Sequence, residues 1–321
     1  MEQMNAAVVT EFGQPPHYQP FDRPAPSGQE VLADVLAAGL HPRVRSGAAG
    51  QHYTSSGTLP MIPGIDCVGR LPDGKVVYFA ADDDVLGTMA DQALVDPRRS
   101  VELPAGADIA RVAAAMNPAM SSWVALRRRV PLKPGQSVLI LGATGNAGTM
   151  AVQVARRLGA GRVVGAGRDQ GRLRALLSQG ADEVVPLTDD ADATGQALAA
   201  AAADTDIVLD YLWGAPAAAA IMALLTARTD RARPLDWIQI GAVAGPTIEL
   251  PSVALRSANF RLQGSGQGAV SPRGYLAELP SLIGEITAGT IEVTPNPVPL
   301  ARVTAAWTAA ETPGQRTVLI P

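Results

Sequence analysis

The chain has 321 residues, which is long enough for two domains, and 47% of them are hydrophobic, so it can bury a large core. A net charge of −4 and no basic run longer than Arg127–Arg129 argue against a nucleic-acid-binding protein. The single cysteine, Cys67, excludes an internal disulfide and a multi-cysteine metal site. No apolar run approaches the length of a membrane span, and the N-terminus lacks a signal segment. We therefore expect a cytoplasmic protein without a membrane partner.

The first part of the chain has the pattern of a compact β-rich domain. Short strand candidates such as Val31–Leu36 and Lys75–Phe79 are separated by turns rich in proline and glycine. The alanine-rich segment Ile109–Ala115 then precedes Asn117-Pro118, and a second helix is predicted over Ser121–Arg129.

Residues 137–168 read as a strand, a glycine-rich turn, a helix and a second strand. Val138–Leu141 is an unbroken apolar run, typical of a parallel strand that is buried on both faces. Glycines let the backbone approach a pyrophosphate closely, and the N-terminus of the following helix offers unpaired N–H groups. This unit predicts a dinucleotide site, and the alternative is an ordinary turn without a ligand. The predicted cofactor-binding residues of the turn are Gly142, Ala143, Thr144, Gly145, Asn146, Ala147 and Gly148.

The end of the second strand indicates which dinucleotide binds. A protein that uses NAD usually has an acidic residue there, which holds the ribose 2′-hydroxyl. Here Gly167 is followed by Arg168, and Arg172 comes shortly after. A guanidinium group fits a 2′-phosphate, so we predict NADP(H) as the cofactor. The alternative is that these arginines are only solvated, and the neighbouring Asp169 complicates the interpretation.

Strands and helices alternate after Arg168, which predicts a doubly wound parallel sheet. The strand Asp206–Asp210 places Asp210 and Tyr211 at the carboxyl edge, where ligands bind in such folds, although a packing role is the alternative. From Phe260 the pattern adds one more strand, a helix near Tyr275–Ala288 and a return to Thr317–Ile320.

Several ordered motifs resemble the zinc-free quinone oxidoreductase branch of the medium-chain dehydrogenase/reductase superfamily. They are Gly39–Gly47, Leu59–Gly69, Gly142–Gly148, Ala151–Ala155 and Asp206–Asp210, and together they cover nearly the whole chain. The resemblance implies an α/β protein with a GroES-like β-rich catalytic domain at 1–117 and 259–321. A Rossmann domain that binds NADP(H) is implied at 118–258. A homodimer is implied as well.

The resemblance also bears on metal binding. Zinc-dependent members have a cysteine where His41 stands, a His-Glu pair where Ile65-Asp66 stand, and a third ligand near Asn117. One imidazole does not make a zinc site, so we expect no metal.

The activity that the resemblance implies is reduction with NADPH. The enzyme would transfer hydride to a small-molecule electron acceptor, either a quinone or the activated double bond of an enone or enal. Two alternatives stay open: an enoyl-thioester reductase, and a non-catalytic NADPH-binding redox sensor.

The resemblance implies that His41 and Tyr53 are catalytic. His41 could donate a proton, or it could be a structural histidine before Pro42, and Tyr53 could contact the substrate or be a surface aromatic. Asp66 is expected to anchor a loop rather than act as an acid, and Cys67 to be a small buried apolar residue. The further positions implied to face the cofactor are Asn117, Ser121, Tyr211, Gly241, Ala242, Val243, Gly264 and Ser265.

Overall fold

A computed structural model of the chain describes residues 2–81, 85–310, 312 and 314–321. The chain divides into two compact units. The first unit is Met1–Pro118 with Leu279–Pro321, and the second is Ala119–Glu278.

The elements before the second unit are mostly short strands. In chain order they are β1 (Gln3–Val8), β2 (His17–Asp22), β3 (Val31–Gly39), α1 (Pro42–Ala48), β4 (Asp66–Arg70), β5 (Val76–Ala80), β6 (Gln92–Val95), β7 (Ser100–Glu102) and α2 (Ile109–Val124).

Strands and helices alternate in the rest of the chain. The elements are β8 (Ser137–Leu141), α3 (Asn146–Arg157), β9 (Arg162–Gly167), α4 (Gln170–Ser178), β10 (Glu183–Pro186), α5 (Ala191–Ala202), β11 (Ile207–Asp210), α6 (Gly214–Ala227), β12 (Leu235–Gln239), β13 (Phe260–Gly264), α7 (Pro272–Thr287), β14 (Thr294–Pro299), α8 (Val303–Thr308) and β15 (Gln315–Ile320).

The first unit is built on a largely antiparallel sheet. The strand order is β14-β15-β3-β4-β5-β7, with β6 also paired to β3, and β1 and β2 form a separate antiparallel pair. Side chains from β3, β4, β5 and β15 pack with α1 and α8 in one core, which includes Leu40, Val44, Phe79 and Leu319. Burial of this apolar surface is what stabilises the unit.

The second unit is a six-stranded parallel sheet with the order β10-β9-β8-β11-β12-β13. Its central strands β8 and β11 are buried along almost their whole length, because helices cover both faces of the sheet. Numbered within the unit, the order is 3-2-1-4-5-6, which is the Rossmann arrangement. The predicted α/β architecture, a β-rich domain with a doubly wound parallel sheet, is confirmed. The order in which the strands are added reverses between β8 and β11, and parallel sheets of this kind bind their ligands at that point.

The prediction of two helices on either side of Asn117-Pro118 is wrong. A single helix, α2, continues through Pro118 to Val124, and a π-helix follows at Ala125–Arg129. Proline removes one backbone hydrogen bond and normally kinks or ends a helix. Here the flanking segments are almost completely buried, so tertiary packing offsets the lost bond.

The second unit extends further along the chain than the predicted domain boundary at residue 258. β13 pairs in parallel with β12, with Phe260 opposite Leu235, and so completes the sheet. For this reason residues 259–278 lie with the second unit and not with the first. Within the residues that the structure describes, no helix is long and apolar enough to cross a membrane.

Candidate functional site

The glycine-rich turn after β8 forms the centre of the candidate site in the second unit. The amides of Gly142 and Ala143 both donate to the carbonyl of Ala166 at 2.9 Å, and Gly142 has a positive φ of 85°. Gly145 is the N-cap of α3, and because it lacks a side chain it cannot cap the first-turn N–H groups. Those groups, at the positive end of the helix dipole, are suited to a phosphate.

Two glycines in this region are required by close packing. A Cβ at Gly148 would lie 2.2 Å from the carbonyl oxygen of Gly142, and one at Gly167 would lie 2.5 Å from Cγ2 of Thr144. These distances are far inside van der Waals contact, so only glycine allows α3 and β9 to approach the turn. The predicted residues Gly142–Gly148 and Gly167 therefore lie together at the carboxyl edge of β8 and β9.

The arginines predicted to select the cofactor lie beside this turn. Nη1 of Arg172 donates a hydrogen bond to the carbonyl of Thr144, while Arg168 at the end of β9 is exposed. Asp169 is the N-cap of α4, and its carboxylate accepts from the amide of Arg172 at 3.0 Å. The acidic residue next to Arg168 is thus engaged in capping its own helix.

A buried carboxylate holds the loop after β11. Asp210 is fully buried and accepts from the amides of Leu212 at 2.8 Å and Trp213 at 3.0 Å, and from Nε1 of Trp237 at 3.0 Å. Burial raises the pKa of Asp210, and these three donors oppose the rise. Trp213 has a φ of 53°, which is costly for a residue with a large side chain. Asp210 therefore stabilises a strained loop.

Tyr211 in the same loop faces inward. Its hydroxyl lies 2.9 Å from the hydroxyl of Ser121. Burial raises the pKa of Tyr211 to about 12, against the opposing effect of hydrogen bonds with Ser121 and Ser122, so the phenol is uncharged at neutral pH. Asn117 lies one helical turn before Ser121 on α2.

The remaining predicted positions follow β12 and β13 at the same sheet edge. The amide of Gly241 donates to the carbonyl of Asp210 at 3.1 Å, and a Cβ at Gly241 would lie 2.6 Å from the carbonyl oxygen of Tyr211. Ala242 and Val243 are exposed, Val243 by 82%. After β13, the amide of Ser265 donates to the carbonyl of Gln239 at 2.8 Å.

In the first unit, the predicted catalytic residue His41 is the N-cap of α1 and is buried. Its Nε2 lies 2.9 Å from Oδ1 of Asp66, and the hydroxyl of Tyr78 donates to Oδ2 of Asp66 at 2.7 Å. Asp66 is the first residue of β4 and not part of a loop. Cys67 is buried, and burial raises the pKa of its thiol, as does the neighbouring charge of Asp66.

The second predicted catalytic residue, Tyr53, is 71% exposed and lies in the loop after α1. Its ring centroid is 4.2 Å from that of His52, whose Nδ1 lies 2.9 Å from the hydroxyl of Thr54. The guanidinium of Arg43 donates to the same hydroxyl at 2.6 Å. Desolvation, and then the charge of Arg43, lower the pKa of His52 to about 4, so this imidazole is neutral at pH 7.

The chain is similar to known proteins along its whole length. A family profile described as zinc-binding dehydrogenase matches residues 147–268. A protein of Emericella nidulans, named as a probable NADPH-dependent quinone reductase, is 31% identical over 99% of this chain and 100% of its own length. The chain belongs to the medium-chain dehydrogenase/reductase superfamily, in its quinone oxidoreductase-like branch. The resemblance seen in the sequence and the prediction of an oxidoreductase are confirmed.

Solved structures of this superfamily share the fold. A mycobacterial quinone oxidoreductase superposes with a TM-score of 0.83 at 21% identity, and the alignment covers 99% of this chain and 100% of the other. The quinone oxidoreductase of Thermus thermophilus, solved also in complex with NADPH, has a TM-score of 0.81 at 25% identity, over 99% and 100% of the two chains.

In the described ranges, no three histidine, cysteine or acidic side chains are grouped so that they could hold a metal ion. His41 and Asp66 are in direct hydrogen-bond contact, and the family profile matches a segment that contains neither of them.

Sequence reasoning missed Tyr78, His52 as a stacking partner, and the hydrogen bonds of Asp66. Strand pairing could have indicated Tyr78, since it lies two residues from Ala80, which is opposite Asp66 in the β4–β5 register. The link between His41 and Asp66 joins residues 25 apart in sequence, and no sequence pattern indicates it.

Replacing Gly148 by alanine tests the close packing at the turn. We expect dinucleotide affinity to fall at least about tenfold and the protein to lose about 1–3 kcal/mol of stability, because the new Cβ overlaps the carbonyl of Gly142. Cofactor fluorescence titration and urea unfolding measure the two effects. The control is Gly195→Ala on α5, where the new Cβ meets Ala223 at an ordinary 3.6 Å. Equal behaviour of the two variants would contradict the packing argument.

Replacing Asp210 by asparagine tests the loop anchor. The variant is expected to lose about 1–3 kcal/mol of unfolding free energy, because an amide nitrogen cannot accept from Nε1 of Trp237 while its oxygen serves the two backbone amides. Urea denaturation measures the loss. In a Trp237→Phe background the same substitution should cost less, and strict additivity of the two changes would argue against this hydrogen bond.

Proposed function

We propose that the chain is a zinc-independent reductase that uses NADPH and transfers hydride to a quinone or to the activated double bond of an enone or enal. The observation that carries the proposal is the glycine turn at the carboxyl edge of β8, which is shaped for a pyrophosphate and flanked by Arg168 and Arg172. Its relatives' names, NADPH-dependent quinone reductase and quinone oxidoreductase, support the same assignment.

The cofactor fits the residues at this edge. Gly148 and Gly167 let α3 and β9 pack directly against the turn, and this packing sets the position of the first-turn amides of α3 that suit a pyrophosphate. Arg172 is fixed on the carbonyl of Thr144, and Arg168 projects from the end of β9, so both guanidinium groups are available near a 2′-phosphate. Asp169 caps its own helix through Oδ1, so part of its acceptor capacity is already used.

When bound, NADPH supplies a hydride to an acceptor that conjugation has already made electrophilic. Tyr211 and Ser121 form a neutral, hydrogen-bonded pair that orients the nicotinamide end, with Asn117 one turn away on α2. Residues 241–243 and 264–265 follow or end β12 and β13 at the same sheet edge and would line that end of the cofactor. The role of these residues is to bind the cofactor and to position its nicotinamide end. None of them has to exchange a proton.

The resemblance implies His41 and Tyr53 as catalytic residues, and the proposal retains both: His41 as a source of a proton or a hydrogen bond and Tyr53 as a contact for the acceptor. As the resemblance implies, the proposal includes a homodimer.

The activity is tested by offering an ortho-quinone and a small enone in parallel and following NADPH oxidation by absorbance. We expect turnover with at least one of them. Turnover only with an acyl thioester would indicate the enoyl-thioester reductase instead. Tight NADPH binding by fluorescence without oxidation by any acceptor would indicate a non-catalytic protein.

The choice of cofactor is tested at Arg168 and Arg172. Replacing Arg168 by alanine should weaken NADPH binding by about 10- to 100-fold, because a charge-assisted hydrogen bond to phosphate is lost, and should leave NADH binding unchanged. Arg172→Ala also removes the hydrogen bond to the carbonyl of Thr144, so it should weaken the binding of both cofactors, and that of NADPH more. Arg174→Ala is the matched control, since Arg174 is an exposed arginine on the same helix α4. Equal losses for NADPH and NADH would contradict the assignment of these residues to the 2′-phosphate.

A further inference from the structure

The segment that follows β13 is rich in glycine. Residues 264–270, called the β13 loop below, begin Gly-Ser-Gly-Gln-Gly, and Gly268 has a positive φ of 99°. Glycine loses more backbone entropy on ordering than any other residue, so a sequence of this kind does not fix its own conformation. Contacts with other elements of the second unit therefore decide where the β13 loop lies.

Arg129 contacts both ends of the β13 loop. Its Nε donates to the carbonyl of Gly264 at 3.0 Å, and its Nη1 donates to the carbonyl of Ala269 at 3.1 Å. The planar guanidinium holds these two donors in a fixed arrangement, so one side chain sets the separation of two carbonyls that are five residues apart. Between them, the hydroxyl of Tyr275 donates to the carbonyl of Gly266 at 3.1 Å.

The backbone at Arg129 is itself held in place. Arg129 ends the π-helix Ala125–Arg129, which continues α2. The preceding Arg127 and Arg128 both donate through Nε to the carboxylate of Glu278 on α7. Glu278 is 2% exposed, and a buried carboxylate that accepts from two guanidinium groups is a strong anchor. The side chain of Arg129 therefore extends from a fixed point to the β13 loop.

The β13 loop lies at the part of the sheet edge where the nicotinamide half of a dinucleotide is expected. Sheets with this strand order bind the two halves of a dinucleotide on the two sides of the switch point, and β13 belongs to the half that contains β11 and β12. The amide of Ser265 donates to the carbonyl of Gln239 at 2.8 Å, and Nε2 of Gln239 donates to the carbonyl of Gly241 at 2.9 Å. The loops after β12 and β13 are thus joined by hydrogen bonds.

We propose that Arg129 is a positioning residue for NADPH and holds the β13 loop in the conformation that receives the nicotinamide end. This inference rests on the proposed function. Arg129 acts through the two carbonyls and needs no contact with the cofactor. A loop that is ordered before binding loses little conformational entropy when the cofactor arrives, and the affinity is higher for that reason.

Two features separate this role from a direct interaction between charges. The 2′-phosphate is assigned to Arg168, which follows β9 on the other half of the sheet, so Arg129 should not distinguish NADPH from NADH. A lysine at position 129 would keep the positive charge, but it lacks the planar fork and cannot hold both carbonyls in the same way.

Binding measurements with the whole cofactor and with half of it test the proposal on the intact chain. The half is adenosine 2′,5′-bisphosphate, which carries the 2′-phosphate and lacks the nicotinamide. In Arg129→Ala, the affinities for NADPH and NADH, measured by cofactor fluorescence, should both fall about tenfold. Calorimetry should show an unchanged affinity for the bisphosphate. Arg129→Lys should lose nearly as much affinity for the two cofactors as Arg129→Ala.

Arg273→Ala is the matched control, since Arg273 is an exposed arginine at the start of α7, just after the β13 loop. It should leave the affinity for all three ligands unchanged. Equal losses of NADPH and bisphosphate affinity in Arg129→Ala would indicate a general loss of structure and overturn the proposal, as would an unchanged NADPH affinity. Full recovery in Arg129→Lys would overturn it too, because charge alone would then be sufficient.

Hydrogen exchange followed by mass spectrometry tests the loop without a ligand. The amides of the β13 loop should exchange faster in Arg129→Ala than in the wild type or in Arg273→Ala, because two hydrogen bonds to the loop are lost. Unchanged exchange would overturn the proposal. If the wild type binds NADPH and no acceptor oxidises it, the proposed activity fails, while the comparison of affinities still decides the role of Arg129. A wild type that binds neither NADPH nor NADH would overturn both.

Discussion

The backbone of α3 lies against the turn that precedes it, at a distance that leaves room for only a hydrogen atom at position 148. This close approach sets the direction in which the first-turn amides of α3 point, and the amides of Gly142 and Ala143 tie the same turn to β9. The loop after β11 then packs on the turn, since a Cβ at Gly142 would meet Leu212 at 3.1 Å. A larger residue at position 148 would push α3 away from the turn. The first-turn amides of α3 would then move as well.

Buried carboxylates organise both units, and each is matched by several donors. In the second unit, Asp210 accepts hydrogen bonds from two backbone amides and an indole. In the first unit, Asp66 is hydrogen-bonded to an imidazole and a phenol. A buried carboxylate is tolerated only when its oxygens are hydrogen-bonded, so each of these residues constrains the position of every group that donates to it. At Asp210 the result is a strained loop in a set position, and at Asp66 it is an imidazole held in a set position.

Much of the fold and of the nucleotide site was accessible from the sequence, because local patterns carry that information. The apolar run before Gly142, the glycine spacing and the arginines after β9 are contiguous features, and they correctly indicated a Rossmann unit. The sequence did not indicate that the helix α2 continues through Pro118. A proline predicts a break from local hydrogen bonding alone, whereas burial of the flanking residues of α2 keeps the helix continuous. The end of the second unit was also missed, since pairing of β13 with β12 depends on residues that are 25 apart in sequence.

The sequence by itself determined the fold class, the superfamily and the position of the glycine turn, because periodicity and short motifs act over a few neighbouring residues. Only the tertiary structure decided which polar side chains meet inside the protein. Asp66 became a hydrogen-bond acceptor for His41 and Tyr78, although its position suggested a loop anchor. These contacts arise from strand register, helix placement and burial, which bring distant residues together, and burial strengthens a hydrogen bond to a carboxylate because water is excluded.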